Sequence, residues 1–296
     1  MKIDFSNCEI NKYKTYGGAN GNKIAIIYGN DQYMLKFPPP PKSNKTISYT
    51  NSCISEYISC NIIKILGFEV QETLLGSYKD KIVVACKDLE ENGFSLFEFA
   101  KIKNSVIGSP GYNTELSEIL HTISEQELVN SNSLLEFFWN MFVLDSYLGN
   151  FDRHNGNWGF LVNENTKTAK ISPIFDCGSC LFPQNSEEQM YNIIKSKEEI
   201  ELRVFTFPNS AIRENNAKIN YYRFLKDNHQ ENKELQKSIN KVGTRILEKE
   251  NLIENLIDSM EYITDIHKNF IKIMLKNRFK KLIGPFIEKK TISWGL

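Results

Sequence analysis

The sequence predicts an α+β fold with two lobes, a small strand-rich lobe at residues 1–86 and a larger helical lobe at residues 87–296. Short apolar segments separated by turn residues fill the first part, whereas apolar residues at three- and four-residue steps dominate from residue 94 onward. The length of 296 residues allows one large two-lobed domain or two small domains. A chain of this length can bury a sizeable core.

The composition is typical of a globular protein. Hydrophobic residues make up 41% and charged residues 24%, which excludes a disordered, collagen-like or disulfide-scaffold chain. Lysine and arginine together number 36, as do aspartate and glutamate, so no net charge would by itself recruit nucleic acid or an anionic membrane. We expect neither nucleic acid nor a membrane as a partner.

Cysteine usage and the first residues indicate a reducing compartment. Six cysteines are few for a disulfide-stabilised fold, and the sequence has no repeated pair of C-x-x-C motifs. The most apolar stretch is too short to span a membrane, and the first residues lack the pattern of an export signal. We expect a cytoplasmic protein with reduced thiols and leave secretion without a leader open.

A β-hairpin is predicted near the start of the strand-rich lobe. Lys23–Tyr28 and residues 32–37 have strand patterns and flank a Gly-Asn-Asp cluster that favours a turn. The four prolines at 38–41 then end the second strand, because proline cannot continue a strand ladder.

A helix and two further strands complete the predicted small lobe. Ser52 is a candidate N-cap, isoleucines follow at helical spacing, and Gly67 stands just past the end of the pattern. Residues 73–78 and 81–86 are strand-like and flank a short polar turn.

The helical lobe is expected to contain a long, central apolar helix. Ser133 to Glu136 has the pattern of a capping box, and apolar residues continue on one face until Gly149. A polar segment follows at residues 149–160, and it includes Arg153, the only arginine before Arg203. Polar side chains in a loop held by a rigid helix favour a functional role.

Asp152 and Asn157 in this loop have a spacing with chemical meaning. They stand five residues apart, as do the catalytic aspartate and the metal-binding asparagine of the D-x-x-x-x-N loop in protein kinases. The carboxylate can accept a hydroxyl proton while the amide oxygen completes a magnesium shell.

A second acidic motif follows at Asp176. It belongs to a D-x-G element that comes after a strand-like run at residues 169–173, and its carboxylate would bridge Mg²⁺ to phosphates. Each motif alone occurs by chance in many proteins of this length. Together and in this order, the two motifs predict phosphoryl transfer.

The upstream elements of such a site can also be found in order. Residues 16–23 form a glycine-bearing loop, Lys36 lies on the following strand, and Glu56 lies in the following helix. The structural alternatives are an ordinary hairpin turn, an exposed strand-end lysine and a solvated glutamate. The loop departs from the Walker A pattern and from G-x-G-x-x-G, which disfavours a P-loop NTPase and a standard eukaryotic-type kinase.

These motifs resemble those of the HipA-like serine/threonine kinases, whose catalytic region is similar to that of phosphatidylinositol kinases. Residues 152–157 resemble the family's D-[RG]-H-x-x-N loop, and residues 18–23 resemble its phosphate loop. Residues 33–36 and 55–57 resemble its lysine strand and its glutamate helix. The resemblance covers roughly residues 16 to 180.

The resemblance implies a bilobal protein-kinase-like fold that uses ATP and Mg²⁺ to phosphorylate serine or threonine in proteins, often in itself. It makes Asp152 the catalytic base and Asn157 and Asp176 the metal ligands, all three counted as catalytic. It also suggests an inhibitor or other partner protein. The residues expected to bind the nucleotide are Gly18, Ala19, Asn20, Gly21, Lys23, Lys36, Glu56, Cys86 in a hinge at 85–88, His154 and Phe175.

Several alternatives stay open. A lipid kinase or a small-molecule phosphotransferase would use a similar set of residues, and a nucleotide-binding pseudokinase or regulator would need no base. Cys177 and Cys180 have a C-x-x-C spacing, for which thiol chemistry and a zinc site are the lesser alternatives. Ser105, Ser109 and Thr114 are candidate self-phosphorylation sites.

Overall fold

The computed structural model describes residues 3–17, 22–39, 50–108 and 110–288. Its small lobe is a six-stranded sheet with the order β1-β5-β6-β4-β3-β2, covered on one face by helix α1. The elements are β1 (Ile3–Asp4), β2 (Glu9–Ile10), β3 (Lys23–Tyr28), β4 (Asp31–Lys36), α1 (Ser52–Ile65), β5 (Thr73–Tyr78) and β6 (Lys81–Lys87).

Two of the predicted hairpins form the middle of this sheet. Strands β3 and β4 pair antiparallel with Tyr28 opposite Asp31, so a two-residue turn joins them. Strands β5 and β6 pair in the same way, with Tyr78 opposite Lys81. Both predicted hairpins are confirmed.

The side chains of β4 alternate between two environments, as expected for a strand covered on both faces. Tyr33 and Leu35 are buried against Phe5 in a small cluster on the outer face. Met34 and Lys36 face α1 and the larger lobe. The lysine therefore reaches the space between the lobes because of its register in the strand.

Helix α1 begins one residue away from the predicted cap. Asn51, not Ser52, is the N-cap residue, and its side chain makes no capping hydrogen bond. The predicted stop is confirmed, since Gly67 directly follows the C-cap residue Leu66 and has a φ of +77°. Most of α1 is buried, including Glu56.

The larger lobe is mainly helical. Its helices are α2 (Phe99–Ile107), α3 (Leu116–Glu125), α4 (Ser131–Leu148), α5 (Glu187–Lys195), α6 (Lys197–Phe205), α7 (Tyr221–Asn228), α8 (Lys233–Asp258) and α9 (Asp265–Arg278), followed by a π-helical turn (Phe279–Ile283) and a 3₁₀ turn (Gly284–Phe286). It also contains a three-stranded sheet of β7 (Ser95–Glu98), β8 (Gly159–Asn163) and β9 (Thr168–Ile171), and a short hairpin of β10 (Arg213–Glu214) and β11 (Ala217–Lys218).

Helix α4 is the centre of this lobe, as predicted, but it begins earlier. Asn130 is its N-cap and accepts a hydrogen bond from the Ser133 backbone N–H, so the predicted capping box from Ser133 to Glu136 is wrong. The residues from Phe138 to Leu148 are all buried, which means that neighbours cover α4 on every side rather than along one face. Because α4 is packed all round, the loop after Gly149 starts from a fixed point.

Backbone contacts connect the lobes close to the predicted acidic motif. The Gln71 N–H donates to the Ile174 carbonyl at 2.8 Å, and the Ile174 N–H donates to the Glu69 carbonyl at 3.0 Å. The segment before Asp176 is therefore tied to the start of β5. In the described residues, no helix is both long and apolar enough to span a membrane. The boundary between residues 86 and 87 stays a prediction.

Gly159 allows strand β8 to approach β7 at the end of the polar loop. A Cβ atom at this position would lie 2.1 Å from the Phe97 carbonyl oxygen and 2.7 Å from the Phe99 nitrogen. Both are backbone atoms, so relieving the clash would require a shift of strand β7 at a cost in free energy. We expect Gly159→Ala to lower the free energy of unfolding by about 2–4 kcal/mol. Urea unfolding followed by far-UV circular dichroism measures the change.

Gly17→Ala is the matched control, because a Cβ at Gly17 would meet no atom within 4 Å. Equal stability of the two variants would contradict the close approach of the strands.

Candidate active site

The loop that carries Asp152 is fixed at both ends. Helix α4 ends at Gly149, whose left-handed conformation (φ +73°) turns the chain sharply out of the helix. Asn150 then orients the loop, because its Nδ2 donates to Asp145 Oδ1 at 2.9 Å and its Oδ1 accepts the Asp152 N–H at 3.0 Å. At the other end, the Trp158 carbonyl accepts the Phe99 N–H at 2.9 Å.

Arg153 joins this loop to helix α4 and to the second acidic motif. Its Nε lies 2.9 Å from Asp145 Oδ2, and one of its terminal nitrogens donates to the Asn157 carbonyl at 2.8 Å and to the Phe175 carbonyl. Both charged side chains are almost fully buried. Burial alone would lower the pKa of Arg153, but Asp145 raises it well above the usual value. The guanidinium therefore stays charged and holds both loops.

Asp152 lies half-buried at the centre of the loop. The Asn157 Nδ2 and the His154 N–H both donate to its backbone carbonyl, each at 2.8 Å. Burial raises the pKa of its carboxyl group, and Asp176 adds to the effect, although His154 opposes it. A carboxylate with a raised pKa is a better proton acceptor than an exposed aspartate.

The predicted lysine–glutamate ion pair is present in the structure. Lys36 Nζ lies 3.0 Å from Glu56 Oε2 and 2.9 Å from Asp176 Oδ1. Glu56 is buried, and its second oxygen accepts the Cys177 N–H at 2.9 Å. One lysine thus links the sheet, the helix and the acidic motif, which brings three predicted residues together.

Charge balance keeps Asp176 ionised. Burial would raise the pKa of Asp176, but Lys36 outweighs this effect and lowers it to about 2. Asp176 also adopts a φ of +58°, a left-handed conformation that is costly for a residue with a side chain. Such strain is found where the surrounding structure dictates the direction of a functional group.

The candidate phosphate loop lies only partly within the described residues. Lys23 Nζ donates to the Gly17 carbonyl at 2.8 Å, and Lys23 stands opposite Lys36 in the strand register. Burial and the neighbouring charge of Lys36 lower the pKa of Lys23. The predicted residues Gly18, Ala19, Asn20 and Gly21 lie outside the described residues.

The other predicted nucleotide-binding residues, Cys86, Phe175 and His154, lie on three different segments. Cys86 is fully buried within β6, opposite Thr73 and Met34. Phe175 is buried directly before Asp176, and its carbonyl accepts a hydrogen bond from Arg153. His154 Nδ1 accepts the Gly156 N–H at 3.0 Å, which orients its ring within the loop.

Asp88 lies just past the end of β6 and binds several polar side chains there. This polar cluster was not predicted from the sequence. Asp88 accepts hydrogen bonds from the Tyr16 hydroxyl at 2.9 Å and Gln32 Nε2 at 2.5 Å, and it pairs with Lys14 at 3.1 Å. These partners come from distant parts of the chain. No motif in the sequence indicated them.

The oxygen atoms at the site fit a magnesium ion. Asn157 uses its Nδ2 in the bond to the loop backbone, so its Oδ1 is the atom left for a cation, and Asp176 supplies a carboxylate. Mg²⁺ binds proteins through few carboxylate or amide oxygens and takes its remaining ligands from phosphates and water. In the described residues, no three His, Cys, Asp or Glu side chains form a group suited to a metal.

Cys177 and Cys180 lie buried behind the acidic motif, together with Cys60 of α1. Hydrogen bonds from the Cys180 and Cys60 thiols lower the pKa of Cys177, with a further contribution from Arg153. The three sulfur atoms fill the core between α1 and the acidic loop.

Comparison with known proteins agrees with this geometry. Residues 15–250 match the family described as the HipA-like C-terminal domain. The chain belongs to this family. The HipA-like chain is 46% identical over 284 residues to the serine/threonine-protein kinase CtkA of Helicobacter pylori, covering 95% of this chain and 86% of CtkA.

Solved structures show the same relationship. A crystal structure of the H. pylori proinflammatory kinase CtkA superposes with a TM-score of 0.90 at 45% identity and covers 97% of each chain. The HipA in a Shewanella oneidensis complex of HipA, HipB and operator DNA has a TM-score of 0.54 at 11% identity, covers 93% of this chain and 68% of that chain, and shares the fold alone. The predicted family, the bilobal α+β fold and the enzyme class of a serine/threonine protein kinase are confirmed.

The buried ion pair of Arg153 and Asp145 offers a test of this HipA-like site. We expect Arg153→Met to lower the free energy of unfolding by about 3–5 kcal/mol, because it leaves the Asp145 charge buried without a partner. The double variant Asp145→Leu/Arg153→Met should recover part of this loss, since no unpaired charge remains. Chemical denaturation of both variants measures the difference.

Arg203→Met is the control, because its ion pair with Glu199 is a partly exposed contact within α6 and should contribute less than 1 kcal/mol, as is typical of surface pairs. Similar losses at Arg153 and Arg203 would contradict the central role of the buried pair.

Proposed function

We propose that this HipA-like protein transfers the γ-phosphoryl group of ATP, with Mg²⁺, to serine or threonine hydroxyls of proteins, including its own. The observation that carries the proposal is the meeting of Lys36, Glu56 and Asp176 in one ion-pair network next to Asp152. The sequence similarity to CtkA supports the acceptor class.

Lys36 would bind the α- and β-phosphates of the nucleotide. Glu56 holds the lysine from the helix side at 3.0 Å and is itself fixed by the Cys177 N–H. Burial and the two carboxylates act in opposite directions on the pKa of Lys36, and the net effect raises it well above the usual value. The ammonium group therefore keeps its charge in the cleft and can stabilise phosphate oxygens.

Asn157 and Asp176 would hold Mg²⁺, which when bound neutralises negative charge on the phosphates during transfer. Arg153 contributes to their alignment, since it donates to the backbone carbonyls of Asn157 and Phe175. The two oxygen ligands thus come from loops that share one buried cation. Such positioning supplies much of the catalytic power in phosphoryl transfer.

Asp152 would accept the proton of the acceptor hydroxyl. Its carboxyl group has a raised pKa because of burial, while its backbone is fixed by Asn150 and Asn157. These hydrogen bonds use only the backbone N–H and carbonyl of Asp152, so its carboxylate is available for the acceptor hydroxyl. A base in this position raises the nucleophilicity of the attacking oxygen.

The candidate self-phosphorylation sites differ in accessibility. Ser105 is exposed on α2, whereas Thr114 is buried and its hydroxyl donates to the Ala211 carbonyl at 2.7 Å. Ser109 lies outside the described residues. Of the two described candidates, Ser105 is the better acceptor. The inhibitor or partner protein stays a prediction.

Replacement of the acidic residues tests the reaction directly. With labelled ATP, Mg²⁺ and a serine-rich protein acceptor, we expect Asp152→Asn to reduce transfer by roughly 10²- to 10⁴-fold, because the general base is lost. Asp176→Asn should abolish metal-dependent transfer while the protein stays folded. Scintillation counting of the acceptor and circular dichroism measure the two effects.

Asp227→Asn is the matched control, because Asp227 is an exposed aspartate of α7 in the same lobe. Binding of ATP without transfer in the wild type would contradict the proposed reaction and favour a nucleotide-binding regulator.

Self-phosphorylation is tested separately by mass spectrometry after incubation with Mg-ATP. We expect phosphate on Ser105 and none on Thr114, because both hydroxyls donate to a backbone carbonyl but only that of Thr114 is buried and cannot reach a second active site. Ser105→Ala should remove that phosphopeptide without changing transfer to an added acceptor. Phosphate on Thr114 in the folded protein would contradict the accessibility argument.

A further inference from the structure

The segment from Phe207 to Tyr221 crosses the outer side of the catalytic loop. At one end, the Phe207 ring lies 6.0 Å from the Phe151 ring, and at the other end the Tyr221 hydroxyl donates to the Asn150 carbonyl at 2.7 Å. Tyr221 is buried. The β10–β11 hairpin between these anchors is therefore held against the loop that carries Asp152.

A second loop, residues 110–115, supports the hairpin from the other side. The Arg213 N–H donates to the Thr114 carbonyl at 2.9 Å, and the Glu115 carboxylate accepts the N–H groups of Asn215 and Asn216. Asn155 of the catalytic loop in turn donates to the carbonyls of loop 110–115, at 2.9 Å and 2.7 Å. The hairpin, loop 110–115 and the catalytic loop are thus joined by hydrogen bonds into one rim, and the catalytic loop carries Asp152.

The hairpin places two cations side by side on this rim. Arg213 and Lys218 are direct partners in its strand register, and like charges in this position repel each other. Arg213 donates to the Asn216 carbonyl at 2.7 Å, and Lys218 is exposed. Throughout the described ranges, neither side chain forms an ion pair with a carboxylate within 4.0 Å.

Lys218 stands three residues before Tyr221, whose hydroxyl donates to the Asn150 carbonyl, two residues before Asp152. The lysines at the nucleotide side, Lys23 and Lys36, belong to the sheet of the small lobe instead. The β10–β11 hairpin belongs to the larger lobe, as Asp152 does. A hydroxyl that approaches Asp152 from the side of the rim would bring its neighbouring residues next to Lys218.

We infer that the β10–β11 hairpin is a docking edge for the acceptor peptide and that Lys218 selects peptides with an acidic side chain beside the serine or threonine. The inference rests on the proposed function. Lys218 is exposed, so its contribution should match that of a surface ion pair, roughly threefold to fivefold in kcat/KM. An anionic group would also relieve the repulsion between Lys218 and Arg213.

The experiment compares serine peptides that differ only in one neighbouring residue, as glutamate, alanine or lysine, with the full chain and Mg-ATP. We expect the wild type to prefer glutamate and Lys218→Ala to lose that preference through a higher peptide KM. Lys218→Glu should reverse the preference and favour the lysine peptide. The matched control Lys197→Ala, an exposed lysine at the start of α6, should keep the wild-type preference.

Failure of the proposed function and failure of the inference about Lys218 give different results. If no peptide or protein acceptor is phosphorylated by the wild type, the proposed function itself fails, and the inference with it. If the peptides are phosphorylated but Lys218→Ala keeps the glutamate preference, only the inference is overturned. A higher KM for ATP in Lys218→Ala with an unchanged peptide preference would assign Lys218 to the nucleotide phosphates and would also overturn it.

Discussion

The buried ion pair of Arg153 and Asp145 determines the geometry of the whole site. It connects the rigid helix α4 to the loop of Asp152 and, through two backbone carbonyls, to Asn157 and to the segment before Asp176. Charge-assisted hydrogen bonds in a low-dielectric interior are strong and directional. The loop of Asp152 and Asn157 and the segment before Asp176 are therefore positioned by one side chain.

A second network connects the lobes through Lys36. Its contacts with Glu56 and Asp176 join β4, α1 and the acidic loop, and the backbone N–H of Cys177 closes the arrangement by binding Glu56. A shift of α1 would move Glu56 away from the lysine and from the acidic loop at once. The position of this helix is thus coupled to the direction of the Asp176 carboxylate, the proposed cation ligand.

The sequence predicts the elements that depend on local patterns. It does not predict the contacts that depend on how the chain turns between those elements. Strands Lys23–Tyr28 and Thr73–Tyr78 have the predicted bounds because alternation and turn residues are local signals. The pairing of Asp145 with Arg153 depends on a sharp turn after α4, so spacing alone did not indicate it. The β10–β11 hairpin was missed for a similar reason, since strands of two residues carry no periodicity.

The alternating pattern of β4 restricts changes in chain length more than changes in residue type. Lys36 faces the cleft, while Leu35 faces the opposite cluster around Phe5. Inserting one residue before Lys36 would turn its ammonium group toward that apolar cluster. Inserting two would restore the face but displace the amine by about 7 Å along the strand, beyond reach of Glu56. The position of this one ammonium group therefore fixes both which face of the strand Lys36 occupies and how many residues precede it in the strand.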